Sequence, residues 1–133
     1  EVITLVADAS ALVEFLLQTP RVESFGPIFS DPDVDLHVPA LCDVEVTSAL
    51  RGAIRRKLVT TERAQEALQD YSDLPLTRHG HLGLIRRCLE LRTSFSAYDA
   101  TYVALAEGLG ADLITADRRL ARRCDSIGVS CIY

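Results

Sequence analysis

The chain has 133 residues, of which 48% are hydrophobic and 25% charged, a size and composition typical of one globular domain with a buried core. Its longest uncharged apolar runs are far too short to cross a bilayer, and its first residues lack the basic segment of a secretory signal. We therefore expect a single domain over residues 1–133, which is soluble, cytoplasmic and not bound to membranes.

The formal net charge is −5, but the charges are unevenly distributed. Residues 1–50 hold nine acids and one base (net −8), whereas residues 51–133 hold ten acids and thirteen bases (net +3). The bases of the second part cluster in residues 51–57, 86–92 and 118–123. Solvated helix surfaces explain each cluster separately, but three clusters also suit a phosphate backbone or an acidic partner peptide.

Short apolar strands alternate with helix-forming segments along the chain. In chain order we predict a strand over residues 2–7, helices over 10–17 and 22–29, a strand over 36–38, helices over 40–57 and 60–71, a strand over 74–76, helices over 78–91 and 96–109, a strand over 112–116, a helix over 118–124 and a strand over 129–132. This alternation predicts an α/β fold with a mainly parallel sheet covered on both faces. Functional sites of such sheets lie beyond the carboxyl ends of the strands.

Asp8 and Asp117 each come directly after an apolar strand, so both are expected at the carboxyl edge of the sheet. Each also precedes a helix, and the alternative function of either residue is that of a helix N-cap.

Glu45 is expected to point inward from its helix. At helical spacing it belongs to a face that is otherwise small or apolar. The members of that face are Leu41, Val44, Glu45, Ser48, Ala49 and Gly52. The opposite side, with Asp43, Thr47 and Arg51, is expected to face solvent. The alternative places Glu45 at the edge of the face, paired with an arginine.

Asp99 begins a stripe that continues through Tyr102, Val103, Ala106 and Leu109. The alternative is a capping box between Ser96 and Asp99, in which the carboxylate only satisfies backbone donors. Four carboxylates in one pocket would repel one another and raise their pKa values, and a divalent cation relieves that repulsion. Carboxylate and water ligands suit Mg²⁺ or Mn²⁺.

Four stretches of the chain resemble the motifs of the PIN domain family, and within it the VapC-type toxins of bacterial toxin–antitoxin pairs. The stretches are residues 5–12, 38–46, 96–106 and 113–120. They occur in the order of the family and span nearly the whole chain. The family carries its acids at the positions of Asp8, Glu45, Asp99 and Asp117.

The resemblance also implies a supporting role for two hydroxyls, Ser10 for the first acid and Thr115 for the last. Ala9 stands where many relatives have Ser or Thr, and its side chain is expected to point away from the pocket. Asp8 and Asp99 are the best candidates for direct metal ligands, with Glu45 and Asp117 completing the cluster.

The resemblance implies a three-layer α/β/α PIN-like nuclease domain, an endoribonuclease that requires Mg²⁺ or Mn²⁺. Such proteins are typically homodimers held inactive by a cognate antitoxin, and structured RNAs including tRNA are frequent substrates. Water activated by the metal would attack the scissile phosphate in line, leaving 5′-phosphate and 3′-hydroxyl ends.

The best candidates for contacts with the RNA backbone are Arg118, Arg119, Arg51 and Arg55. Three alternatives remain open. They are a nuclease of the same fold that cuts DNA, a catalytically weak RNA-binding module, and an unrelated α/β protein whose acids are mostly helix caps and which has no metal site.

The histidines and cysteines are assigned no catalytic role. His37, His79 and His81 lie outside the acid motifs, and the last two are expected on a helix surface, where side chains two residues apart diverge. The scattered cysteines favour structural thiols over a zinc or redox site. They are Cys42, Cys88, Cys124 and Cys131.

Overall fold

Five strands and seven helices alternate in the computed structural model, which describes residues 1–133. In chain order they are β1 (Ile3–Ala7), α1 (Ala9–Leu16), α2 (Val22–Phe29), β2 (Val34–Pro39), α3 (Cys42–Arg55), α4 (Thr61–Asp73), β3 (Leu76–His79), α5 (Ile85–Glu90), α6 (Ala97–Leu109), β4 (Asp112–Ile114), α7 (Arg118–Asp125) and β5 (Cys131–Ile132). No helix combines the length and the apolarity needed to cross a bilayer.

The strands form one sheet in the order β3-β2-β1-β4-β5, and every pair is parallel. β1 lies at the centre, with Val6 opposite His37 of β2 and Ala7 opposite Ile114 of β4. This arrangement confirms the predicted α/β class with a central parallel sheet. Because the chain enters every strand from the same end, the residues that follow β1 and β4 meet at one edge of the sheet.

One hydrophobic core of 28 buried residues joins the sheet to its helices. The last three residues of β1, Leu5 to Ala7, are all buried, as expected for a central strand covered on both faces. Helix α6 packs against β1, β2 and β4 and is buried on every side from Ala100 to Ala106. The core therefore fixes β1, which directly precedes Asp8, and α6, which contains Asp99.

The prediction was wrong between residues 74 and 91. The strand is β3 at Leu76–His79 rather than 74–76, and the predicted helix over 78–91 is reduced to α5 at Ile85–Glu90. Leu82, Ile85 and Leu89 follow a helical period, but they are exposed by 88%, 51% and 69%. β3 is an edge strand with one neighbour, so it tolerates polar residues. Those polar residues had favoured a helix in the prediction.

The histidines are consequently not on a helix surface. His79 ends β3, and its Nε2 lies 2.8 Å from Nδ1 of His37 on the neighbouring strand. His37 Nε2 in turn lies 2.8 Å from the Asp35 carboxylate. His81 Nε2 accepts the backbone N–H of Leu41 at 3.0 Å. His37 and His79 thus link β2 to β3, and His81 links the segments that follow these two strands. All three imidazoles therefore have a structural role.

Helix α4 provides a local test of the fold. Thr60 is its N-cap, and the hydroxyl accepts the backbone N–H of Arg63 at 3.1 Å. We expect Thr60→Ala to lower the free energy of unfolding by about 1 kcal/mol, measured by urea denaturation, because a helix-terminal donor loses its partner. Thr61→Ala, at the exposed first position of the same helix, is the matched control. Equal losses in the two variants would contradict the capping role of Thr60.

Candidate active site

The pairing of β1 with β4 places the first and last acids at one edge of the sheet. The backbone N–H of Asp8 donates to the carbonyl of Ile114 at 3.0 Å, which continues the β1–β4 ladder by one residue. Thr115 and Ala116, which follow β4, then bond to the Asp8 carboxylate and to the Ser10 hydroxyl. The strand geometry therefore brings Asp117 towards Asp8 across 109 positions of sequence.

The Asp8 carboxylate is 5% exposed and accepts three hydrogen bonds. Oδ1 accepts from the Ser10 hydroxyl at 2.7 Å and from the Ala11 N–H at 3.0 Å, while Oδ2 accepts from the Thr115 hydroxyl at 2.5 Å. Asp8 is thus the N-cap of α1, as the alternative interpretation held. A carboxylate has about four lone-pair positions, so one position on Oδ2 remains for a ligand from the cleft.

Ser10 and Thr115 tie the start of α1 to the segment after β4. Each hydroxyl has a single proton, which it donates to Asp8, and each hydroxyl oxygen accepts a backbone N–H. Ser10 accepts from Ala116 and Thr115 accepts from Asp117, both at 2.9 Å. The two hydroxyls therefore orient the Asp8 carboxylate and fix the backbone of Asp117 relative to it.

Asp117 is the N-cap of α7. Its Oδ1 accepts the backbone N–H groups of Arg119 and Leu120 at 2.9 and 3.3 Å, whereas Oδ2 accepts no hydrogen bond. The capping interpretation is correct for Asp117 as well, but capping occupies only one of the two oxygens. The other oxygen is available to a ligand.

Glu45 lies at the edge of the buried face of α3 and not at its centre. The buried face is formed by Cys42, Val46, Leu50 and Ala53. Val44, predicted to point inward, is 69% exposed, and Asp43, predicted to face solvent, accepts hydrogen bonds from Tyr71 and Arg78. The partner of Glu45 is no arginine but the Tyr102 hydroxyl, which donates to Oε1 at 2.5 Å.

Asp99 lies in the first turn of α6. The Ser96 hydroxyl caps that helix by accepting the backbone N–H of Asp99 at 3.1 Å. The reciprocal bond of a capping box, from the Ser96 N–H to the Asp99 carboxylate, is absent. Ser96 alone therefore performs the capping, and the half-buried Asp99 carboxylate receives no backbone donor.

One open cleft of about 340 Å³ contains all four acids. Its lining residues are Asp8, Ala9, Ser10, Glu45, Ser48, Ala49, Asp99, Tyr102 and Asp117. Ala9 lines the cleft, so the expectation that it points away was wrong. The four predicted arginines do not line it; Arg118 instead places its guanidinium 5.7 Å from the ring of Tyr133.

Burial and nearby negative charge raise the pKa values of three acids of the cleft, which are Asp8, Glu45 and Asp99. Burial raises the pKa of Asp8 to about 6 despite its three donors, and the charge of Asp117 contributes in the same direction. Burial and the charge of Asp99 raise the pKa of Glu45, while the Tyr102 hydroxyl opposes the rise. Burial and the charge of Asp117 raise the pKa of Asp99. A cation in the cleft would be attracted to all of them.

The donor set fits a hard divalent cation. Every candidate ligand is a carboxylate oxygen, and Asp8, Glu45 and Asp117 each retain an oxygen position without a hydrogen bond. No three acidic, histidine or cysteine side chains converge into a closed cage. Mg²⁺ keeps several of its waters and binds through one or two carboxylates, so an open cleft with spaced acids suits it.

Comparison with known proteins identifies the family. The model of the PIN domain family matches residues 5–125. Ribonuclease VapC9 of Mycobacterium tuberculosis is 41% identical to this chain over 117 residues, which is 88% of each protein. The chain therefore belongs to the PIN domain family and to the VapC ribonucleases within it, as the sequence motifs predicted.

Solved structures share the fold. VapC20 of Mycobacterium tuberculosis, described as a sarcin-ricin loop cleaving toxin, matches with a TM-score of 0.66 and 15% identity, over 89% of this chain and 93% of VapC20. VapBC2 of Rickettsia felis, bound to a DNA fragment from its promoter, matches with a TM-score of 0.68 and 12% identity, over 97% of both chains. At these identities the likeness concerns the three-layer fold and not the substrate.

Sequence reasoning missed the polar role of Tyr102, which it assigned to an apolar stripe. Tyr102 lies one helical turn after Asp99, and that spacing places a hydroxyl beside a carboxylate on one helix face. The spacing was the available signal. That the hydroxyl binds Glu45, which is 57 residues away, depends on how α3 and α6 pack.

Proposed function

We propose that this protein is a metal-dependent endoribonuclease that hydrolyses RNA phosphodiesters and acts as the toxin of a toxin–antitoxin pair. The observation that supports this proposal most is the convergence of Asp8, Glu45, Asp99 and Asp117 on one cleft, in a chain closely related to a ribonuclease. The cleft contains no histidine, cysteine or lysine, and its Ser10 and Tyr102 hydroxyls are held by the carboxylates that they orient, which favours water as the attacking group.

Asp8 and Asp99 are the proposed direct ligands of Mg²⁺ or Mn²⁺, and Glu45 and Asp117 complete the set. When bound, the metal supplies the Lewis acidity that activates water and offsets the negative charge of the phosphate. Ser10 and Thr115 hold Asp8 in one rotamer, so its free lone pair keeps its direction. Tyr102 does the same for Glu45 and favours its ionised form.

The toxin assignment includes partners. We propose a cognate antitoxin, a homodimer and a structured RNA substrate such as tRNA, because the VapC motifs carry these expectations. Arg118 and Arg119 follow Asp117 directly, while Arg51 and Arg55 continue the helix of Glu45, and all four lie outside the buried core. They remain the proposed contacts to more distant parts of the RNA backbone.

The decisive experiment offers the purified protein RNA and DNA of the same sequence, with Mn²⁺, with Mg²⁺ and with EDTA. We expect cleavage of RNA only, dependence on the added metal, and fragments with 5′-phosphate and 3′-hydroxyl ends. Cleavage of DNA alone would favour the DNA-cutting alternative, and RNA binding without cleavage would favour the binding module. Cleavage that resists EDTA would contradict the metal mechanism.

Tyr102→Phe tests the support of Glu45. We expect kcat for RNA cleavage to fall by about 10-fold, because the carboxylate loses the donor that orients it. The acidic limb of the pH–rate profile should shift to higher pH, since the same donor lowers the pKa of Glu45. Tyr98→Phe, an exposed tyrosine on the same helix, is the matched control. Identical profiles for the two variants would contradict the role of Tyr102.

A further inference from the structure

A second cleft of about 580 Å³ opens beside the carboxylate cleft. Its lining residues are Arg92, Thr93, Ser94, Phe95, Ser96, Arg123 and Ser126, and we name it the basic groove. It lies between the segment joining α5 to α6 and the exposed side of α7. Neither of its arginines was singled out from its cluster by the sequence.

The basic groove offers hydrogen-bond donors and contains no acid. Both of its charged side chains are guanidinium groups, and no Asp or Glu lines it. The hydroxyls of Thr93 and Ser94 have no partner within the protein, and Ser96 uses its hydroxyl only as an acceptor, so its proton is free. A phosphate group has only acceptor oxygens at its surface, and a set of donors without acidic acceptors matches it.

The two arginines of the groove also differ from the arginines that stabilise the fold. Arg78 pairs with Asp43, and Arg87 pairs with Glu90 and Glu107. Arg92 donates to one backbone carbonyl, that of Leu89, and Arg123 forms no ion pair. An exposed guanidinium without an internal carboxylate remains available to an external anion.

The groove adjoins the carboxylate cleft at Ser96 and Asp99. Ser96 lines the groove and its oxygen holds the N–H of Asp99, whose carboxylate lines the neighbouring cleft. Arg123 lines the groove from α7, the helix whose N-cap is Asp117 of the carboxylate cleft. An RNA strand that places one phosphate among the four acids can thus place another among uncharged and basic donors.

We infer that the basic groove binds a backbone phosphate of the RNA next to the scissile one, with Arg92 and Arg123 as its charged contacts. The inference rests on the proposed ribonuclease activity and adds a binding subsite to it. The groove counteracts the repulsion between a polyanion and an acidic cleft, so it sets the position of the strand across Asp99.

The test compares R92Q/R123Q with the otherwise unchanged protein, both in the Asp8→Asn background so that RNA is not cut. The probe is a fluorescein-labelled mixed-sequence oligoribonucleotide, titrated by fluorescence anisotropy at several salt concentrations. We expect affinity to fall by about 10-fold and the slope of log K against log salt to become shallower by about 0.7, the value for one phosphate that is no longer neutralised. R56Q/R86Q, which removes two exposed arginines outside both clefts, is the charge-matched control.

Equal reductions of affinity in the two double variants would overturn the inference, because they would show a general effect of net charge. An unchanged slope in R92Q/R123Q would also overturn it. The same substitutions in the active protein should raise KM more than they lower kcat. If the unmodified protein cleaves RNA and R92Q/R123Q binds and cleaves RNA equally well, only the assignment of the groove is wrong. If the unmodified protein cleaves no RNA, the proposed function is wrong.

Discussion

Replacing Asp8 with Asn is expected to reduce RNA cleavage by about 100-fold or more while making the protein more stable. The loss of activity follows from the position of the carboxylate, since Asp8 is the most buried acid of the cleft and has one lone pair directed to an external ligand. Asn keeps the shape but only one of the two acceptor oxygens, and it lacks the charge that attracts a divalent cation. Cleavage is measured with labelled RNA in the presence of Mn²⁺.

The gain in stability follows from the raised pKa of Asp8. The pKa of Asp8 is about 6 in the folded protein, against an ordinary value of 3.8. At neutral pH the carboxyl is ionised, and the folded state loses stability because it disfavours the ionised form. At about 1.36 kcal/mol for each pKa unit, that cost is about 3 kcal/mol. Asn carries no charge, so we expect the free energy of unfolding at pH 7, without added divalent cation, to rise. The gain should be less than about 3 kcal/mol, because the amide gives up one of the hydrogen bonds that the carboxylate accepts. Urea denaturation measures it.

Asp70→Asn is the matched control for both measurements. Asp70 is exposed on α4 and makes no hydrogen bond or ion pair, so this variant should change stability by less than about 0.5 kcal/mol and leave cleavage unchanged. If Asp8→Asn cleaved RNA like the unmodified protein, the carboxylate site would be wrong. If it lost stability instead, the view that an ionised Asp8 strains the fold would be wrong.

The second expected result concerns pH and divalent cations. A folded-state pKa above the ordinary value means that the folded protein binds the proton more tightly than the unfolded chain does. The contribution of Asp8 to stability is therefore favourable at low pH and declines as pH rises from about 4 to above 6. Glu45 and Asp99, whose pKa values are also raised, contribute with the same sign.

Mn²⁺ should reverse this decline, because a cation that binds only the folded state stabilises it. At a free concentration about 100 times its dissociation constant the gain is about 2.7 kcal/mol. The experiment records urea denaturation from about pH 4 to about pH 7.5 with Mn²⁺ and with EDTA. The difference between the unmodified protein and Asp8→Asn isolates Asp8, and we expect it to be near zero at the acidic end and greatest at neutral pH in EDTA.

Two outcomes would contradict this picture. A difference between the two proteins that does not vary with pH would mean that Asp8 titrates normally. An equal gain from Mn²⁺ in Asp99→Asn and in the unmodified protein would mean that the cation binds elsewhere. Asp112→Asn, at the exposed start of β4, is the control for a general effect of removing an acid.

The sequence predicted the elements best where they are central. The continuous apolar run of β1 and the long helix α6 were found because burial on all sides leaves a strong hydrophobic signal. The segment around β3 and α5 was mistaken because an edge strand can be polar and because an apolar period does not require burial. Leu82 and Leu89 have the spacing of a buried face, yet they are among the most exposed apolar side chains.

The sequence by itself placed Asp8 and Asp117 at one site, and its motifs added Glu45 and Asp99. Asp8 and Asp117 follow strands, parallel strands end at one edge of the sheet, and this rule needs no side-chain detail. The four sequence motifs also indicated the PIN domain family, and the family model confirms it. Capping does not exclude a ligand role, since Asp8 and Asp117 cap their helices and still present an oxygen position to the cleft.

Only the tertiary structure decided how the acids are supported and what lies beside them. The Tyr102–Glu45 hydrogen bond and the meeting of Arg92 with Arg123 each join elements far apart in the chain. Sequence periodicity shows which side of a helix is buried, but not which residue of another helix it meets, because that depends on the position and rotation of both helices. Four carboxylates in a cleft are therefore visible in the sequence, and the hydroxyls and guanidinium groups around them are not.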